Sequence, residues 1–172
     1  MLYMVECDFS DPAQLDAWNA WYSGPKLDSL LALSAWRSSQ RFRAAGPCRA
    51  PWLAIHAVSG PAVFTSEEYK SSGGGNFSDW GPLISNWSRN LFAGLEVGPE
   101  VPEGALLALA DVSPDGAPLP DIAFTWLRGA GLDNTVPNRA IAVLDQAPKV
   151  LPAGMRLYRP WTPYRTGRGW PA

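Results

Sequence analysis

Charge is scarce in this sequence. Only 17% of its 172 residues are Asp, Glu, Lys or Arg, and the formal net charge is -2. No broad cationic field is left for a phosphate backbone or an anionic membrane surface, so neither nucleic acid nor membrane is an expected partner. Histidine occurs once, at His56, and cysteine twice, at Cys7 and Cys48. That supply gives neither a zinc-ligand spacing nor a disulfide framework, and a reducing, cytoplasmic setting without a protein-built metal site is expected. No apolar run reaches the roughly 18 residues of a membrane span, and no charged-then-apolar leader stands at the start. Gly-x-Gly-x-x-Gly, phosphate-loop and His-Glu-x-x-His patterns are missing too, which removes the usual anchors of nucleotide-dependent and zinc-hydrolytic chemistry.

What is present is apolar material. Hydrophobic residues make up 47% of the chain, with nine Trp and seventeen Pro, enough to fill one compact core. Residues 2 to 8 alternate, with Tyr3, Val5 and Cys7 on one face and Met4, Glu6 and Asp8 on the other, which predicts a strand. Asp11, Pro12 and Gln14 form a helix-start signature ahead of Leu15, Trp18, Trp21 and Tyr22 at helical spacing. Gly24-Pro25 predicts an interruption, then a second helical piece through Leu27, Leu30 and Leu31. Trp36 to Arg43 and Pro51 to Val58 read as a hairpin around Gly46-Pro47. A short helix is expected over 61 to 71, a flexible loop at Ser71 to Asn76, and a further helical piece from Pro82 to Phe92.

The second half echoes the first. Leu106 to Asp111 resembles the opening strand, Ile122 to Leu127 around Trp126 takes the place of Trp21, and Arg139 to Asp145 and Met155 to Tyr158 read as later strands. Residues 1–97 form one unit, 98–104 a connector, and 105–172 a degenerate second half with a C-terminal arm, all within one compact domain. The competing reading is a single βαββαβ unit with an elaborated C-terminus.

Leu15-Asp16-Ala17-Trp18-Asn19-Ala20-Trp21-Tyr22, continuing through Leu27, Leu30, Leu33, Arg41-Phe42 and Trp52-Leu53-Ala54-Ile55, resembles the EthD-like group of dimeric α+β barrel proteins. Ser66-Glu67-Glu68-Tyr69 and Asn86-Trp87-Ser88-Arg89 resemble later stretches of that group. The resemblance implies an α+β fold of ferredoxin-like βαββ units, whose antiparallel sheets form a dimeric, or pseudo-dimeric and internally duplicated, α+β barrel. It also implies a small-molecule pocket between sheet and helices, and activities ranging over lyases, isomerases, cofactor-free oxygenases and haem proteins. After Trp21-Tyr22, where relatives commonly carry an acidic residue and a His, this chain has Ser23 and Lys26. Lys26 is read either as a cation at the pocket mouth or as a surface lysine.

His56 shares a strand face with Trp52, Ala54 and Val58. Assigning Leu53, Ile55 and Ala57 to the helices turns His56 toward the barrel interior. Glu6, on the adjacent opening strand, would then orient the imidazole for proton transfer. His56 and Glu6 are the candidate catalytic pair. Arg41 is a candidate carboxylate clamp if its face points inward, the rival being a solvated edge strand. Trp52, Trp21, Tyr22, Tyr69, Trp87 and Arg89 are candidate substrate-binding residues, forming an aromatic wall with one charged anchor. Gly73 to Gly75 is a lid or a plain connector. Arg156 to Trp170, four arginines among aromatics, reads as an arm onto a partner subunit.

The expected function is that of a small-molecule enzyme without a bound organic cofactor. Lyase or isomerase chemistry on a small cyclic or aromatic acid ranks ahead of cofactor-free oxygenation. Two alternatives stand beside it: a haem-binding barrel with His56 as axial ligand, and a non-catalytic dimeric binding protein. A homodimer is expected if the second half does not complete the barrel.

Overall fold

The computed structural model describes residues 1–113, 119, 121–168 and 170. Nine strands appear in the order β1 (Leu2–Phe9), β2 (Trp36–Ala44), β3 (Trp52–Val58), β4 (Ile84–Ala93), β5 (Leu106–Ala110), β6 (Thr125–Leu132), β7 (Asn138–Leu144), β8 (Met155–Pro160) and β9 (Arg165–Thr166). The pairing runs β3-β1-β4-β6-β7-β5-β8-β2, and β2 also pairs β3. Eight strands therefore close on themselves, every pairing antiparallel, so the barrel has no free edge. Within β1 to β4 the order is β4-β1-β3-β2, and within β5 to β8 it is β8-β5-β7-β6. Both halves thus repeat one permutation, and closure occurs inside a single chain.

Helices lie mainly over the first half. Asp11 accepts from the Ala13 N–H at 2.9 Å and from Gln14 Nε2 at 2.6 Å, which starts the chain into α1 (Leu15–Trp21) as the capping signature predicts. Gly24-Pro25 does not break this helix. It widens to a π turn over Tyr22–Lys26 and continues as α2 (Leu27–Leu31), because the wider turn absorbs the N–H that proline lacks. A 3-10 turn at Pro61–Thr65 precedes α3 (Glu67–Ser71), which Ser66 caps through the Tyr69 N–H.

Two expected helical pieces are strands. Pro82 to Phe92 becomes β4: Asn90 sits opposite Met4 and Leu91 packs on the helix side, a period of two that overrides the helical reading. Trp126, placed by sequence where Trp21 sits, lies in β6. Among the described residues of the second half there is no helix.

Two cores divide the faces of β1 and β3. Leu2, Met4, Phe42, Leu53, Ile55, Phe92, Leu107, Leu127, Ile141 and Tyr158 fill the barrel interior. Tyr3, Val5, Cys7, Trp52, Ala54 and Val58 pack outward against Trp18, Tyr22, Leu27 and Leu30 of the helices. Face membership along β3 follows the sequence reading, but its direction is reversed: Leu53, Ile55 and Ala57 face inward, and His56 goes under the helices. The reason is bulk, since Trp18 of α1, Tyr22 of the π turn and the leucines of α2 together take the Trp52 face. The C-terminal arm folds on its own chain. β9 joins β2 beside Ser38 and Ser39, Trp161 packs edge-on against Trp52, and Arg165 pairs with Asp28. The connector is equally engaged, with Gln40 gripping both the N–H and the C=O of buried Val101.

Candidate functional site

The lone histidine lies between two strands. Tyr3 of β1 stands opposite it on one side and Ser39 of β2 on the other. The Tyr3 ring stacks 5.5 Å from the imidazole and Trp36 lies 5.1 Å away. Ser39 Oγ sits 2.8 Å from His56 Nδ1 and accepts from Trp36 Nε1 at 3.1 Å. With one of its two lone pairs used, the Ser39 hydroxyl can either donate to Nδ1, which puts the imidazole proton on Nε2, or accept from an Nδ1–H. His56 Nε2 is fully buried and has no hydrogen-bond partner among the described residues. Burial first, then the charges of Lys26 and Arg41, push the His56 pKa down to about 3. The ring is neutral at physiological pH.

Beside it lies a small cavity of about 10 Å³, lined by Tyr3, Tyr22, Lys26, Tyr69, Gly74 and Gly75 among others. It has room for one water. The π turn delivers Lys26, 9% exposed, whose Nζ donates to the Gly74 carbonyl; burial lowers its pKa. Tyr69 comes from α3, its hydroxyl buried without a well-formed partner and with the Tyr3 hydroxyl near by. Burial raises the pKa values of Tyr3, Tyr22 and Tyr69, keeping them as phenols. The roof needs glycine. A Cβ on Gly74, at φ +51°, would stand 3.1 Å from Tyr69 Cε1, and one on Gly75 would stand 3.0 Å from the Tyr69 hydroxyl. Outside that roof an open groove of about 250 Å³ is lined by Trp21, Pro25, Lys26, Gly73 and Asn76. Lys26 and Asn76 border both spaces.

Structure thus brings together His56, Tyr22 and Tyr69 of the predicted residues, with Trp21 at the outer groove. Glu6 is not with them. It shares the interior face with Leu53, so the expected Glu6–His56 pair is split across the barrel wall, and Ser39 orients the imidazole instead. Arg41 neither points inward nor forms a solvated edge, because β2 has neighbours on both sides. It is 1% exposed, caged 4.1 Å from Tyr22, 4.9 Å from Trp18 and 5.4 Å from Trp52. Its bonds go to Ser23 Oγ at 2.7 Å and Asn19 Oδ1 at 2.9 Å. Trp52 serves that cage. Trp87 is 46% exposed and rests on Phe77, while Arg89 lies over its ring and pairs with Asp133. Lys26 is a buried site residue, not a surface lysine. Ser39 and Tyr3 escaped the sequence reading, because only the observed register of β1, β3 and β2 sets both opposite His56.

Glu6 belongs to a second polar centre inside one end of the barrel. Its carboxylate accepts from Arg139 Nη2 at 2.7 Å and Arg156 Nη2 at 3.0 Å. Asp111 accepts from Arg139 Nε at 2.6 Å and from Arg156 Nη2 at 2.9 Å. Burial pushes the Asp111 carboxyl up, but the two guanidinium groups outweigh it and hold the pKa below its ordinary value. The one sequence signal for this centre is Arg139, which shares a strand face with Ile141.

A haem on His56 does not fit, since Nε2 faces a space for one small molecule of solvent under the glycine roof. Among the described residues no group of three or more His, Cys, Asp or Glu could hold a metal ion, and no helix is long and apolar enough to cross a membrane. No protein-family model matches the chain, and no curated protein matches it. One solved structure, described as an anthrone oxidase-like protein, shares the fold with a TM-score of 0.56 at 14% identity, over 99% of this chain and 95% of that one.

Proposed function

We propose that this chain is a small-molecule enzyme of the EthD-like, α+β barrel kind, working by acid–base chemistry without a bound organic cofactor. In this reading residues 1–97 and 105–172 are two ferredoxin-like units, joined by 98–104, that form within one chain the barrel other members form as dimers. The shared strand permutation supports it. The observation that carries the functional reading is the buried, unpartnered His56 Nε2 beside Lys26 and Tyr69. Orphaned polar atoms in a native interior call for a partner, and a ligand oxygen would satisfy them.

Displacing the Gly73–Gly75 roof joins the inner cavity to the outer groove and admits a ring. The neutral amine form of Lys26, which burial favours by lowering its pKa, takes a proton from an acidic C–H of a cyclic or aromatic substrate and becomes the ammonium. The negative charge left on the conjugated oxygen is held by the Tyr69 hydroxyl and by His56 Nε2–H, the tautomer in which Ser39 donates to Nδ1. Return of the proton to another carbon gives isomerisation, and loss of a leaving group gives lyase chemistry. The fold neighbour's description favours one related reading: an anthrone is a tricyclic ketone whose deprotonated form is an aryl-stabilised enolate, the kind of anion that dioxygen attacks in cofactor-free oxygenation.

The test is proton–deuterium exchange, followed by NMR in D2O, across a panel of cyclic and aromatic ketones and keto acids. Lys26→Met should abolish exchange, and His56→Gln should slow it at least about tenfold. Exchange that proceeds equally in wild type and Lys26→Met, or in no substrate at all, would remove the proposal.

A further inference from the structure

The centre that captured Glu6 opens into a cavity of about 370 Å³, lined by Arg49, Asn86, Ser88, Asp111, Thr135, Arg139 and Arg156 with Glu6. Its walls come from the ends of β1 and β5, the starts of β4 and β8, and the turns before β3 and β7. That volume lies in the range of small-ligand sites. We infer that this barrel mouth is a second binding site, separate from the His56 pocket, and that it takes a small organic carboxylate.

Satisfaction of hydrogen bonds decides the ligand's sign. Every carboxylate oxygen of Glu6 and Asp111 already accepts from a guanidinium, so a cation entering the cavity would have to compete with two fixed positive charges for them. Donors remain. Arg156 Nε is buried without a partner among the described residues, and exposed Arg49 has no carboxylate within ion-pair distance among them. Arg49 is nonetheless held in place: its Nε donates to Asn86 Oδ1 at 2.8 Å, and Asn86 Nδ2 returns a bond to the Arg49 carbonyl at 3.0 Å. Asn86 adopts a left-handed φ of +49° in this grip, a conformation asparagine tolerates better than most residues.

Charge sets the valence. Glu6, Asp111, Arg139 and Arg156 cancel, leaving the single positive charge of Arg49 to be matched. A monoanion does so, and a planar carboxylate fits the guanidinium fork by two parallel bonds. A phosphate monoester, with about -1.5 to -2 charge near neutrality, overfills the site.

Isothermal titration calorimetry with benzoate, neutral benzamide and inorganic phosphate tests this. Benzoate should bind at least about tenfold more tightly than benzamide, and Arg49→Gln should lose at least about tenfold in benzoate affinity. Arg49 is exposed, so the variant is expected to keep the wild-type melting temperature. His56→Gln should retain benzoate binding, which separates this mouth from the helix-side pocket and from the fate of the proposed function. Equal binding of benzoate and benzamide, phosphate binding more tightly than benzoate, or undiminished affinity in Arg49→Gln would overturn the inference. So would loss of binding in His56→Gln, or no heat from benzoate at millimolar concentration.

Discussion

Two arginines are almost fully buried in this molecule, and they live under opposite regimes. Arg139, inside the barrel, is wrapped by Glu6 and Asp111; burial alone would lower its pKa, but the two carboxylates outweigh that and raise it. Arg41, under the helices, has aromatic faces, a serine and an asparagine but no carboxylate, and burial lowers its pKa to about 10. Around Arg139 the buried charges cancel within the cluster of Glu6, Asp111 and Arg156. The other region keeps an uncompensated positive field, and that field helps hold His56 neutral. The lesson is that the strongly perturbed imidazole sits where the buried cations have no carboxylate beside them, in line with functional sites being places of perturbed ionisation.

The contrast breaks most directly by removing each cation. Arg139→Met leaves two inward carboxylates to share Arg156 alone and should cost about 3–5 kcal/mol in urea unfolding. Arg41→Met removes a charge that nothing neutralises, and its cation–π and hydrogen-bond losses should come to only about 1–2 kcal/mol. Equal costs would erase the distinction between the regions.

Acid sharpens it next. His56 titrates near 6.5 when unfolded and near 3 when folded, so between those values the unfolded chain binds the extra proton. Its contribution is fully present above pH 6.5 and is lost as pH falls toward 3, with a slope of up to about 1.4 kcal/mol per pH unit. His56→Gln should flatten that part of the stability profile relative to wild type. An unchanged profile would mean that the imidazole is not held neutral by its surroundings.

The smallest expected effect is at the roof. Gly74→Ala forces a side chain onto φ +51° and against the Tyr69 ring, at about 1 kcal/mol. Hydrogen exchange should show faster opening of the 72–76 amides while β5 to β8 stay protected. A global loss of protection instead would show that this loop is not a separate local unit.

Much of the local structure was legible. The Asp11-Pro12 start, the alternation of β1 and the β2–β3 hairpin follow from spacing and turn chemistry alone, because those signals involve neighbours in sequence. Pro82 to Phe92 misled because Leu91 and Phe92 are adjacent apolar residues that show no alternation, and only β1 and β6 on either side select the extended form that sends them to opposite faces. Lys26 misled for a similar reason: a lysine after Gly-Pro reads as surface until α3 and the glycine loop cover it.

The sequence by itself determined which residues share a face: His56 with Trp52, and Glu6 with Met4. Only the tertiary structure decided which face looks into the barrel. β3 is buried along its whole length on both sides, so no polar alternation labels inside from outside, and the choice falls to whichever surface the Trp- and Leu-rich helices cover. That choice parted Glu6 from His56, gave the carboxylate to Arg139 and Arg156, and left the imidazole with Ser39 and an unpaired nitrogen.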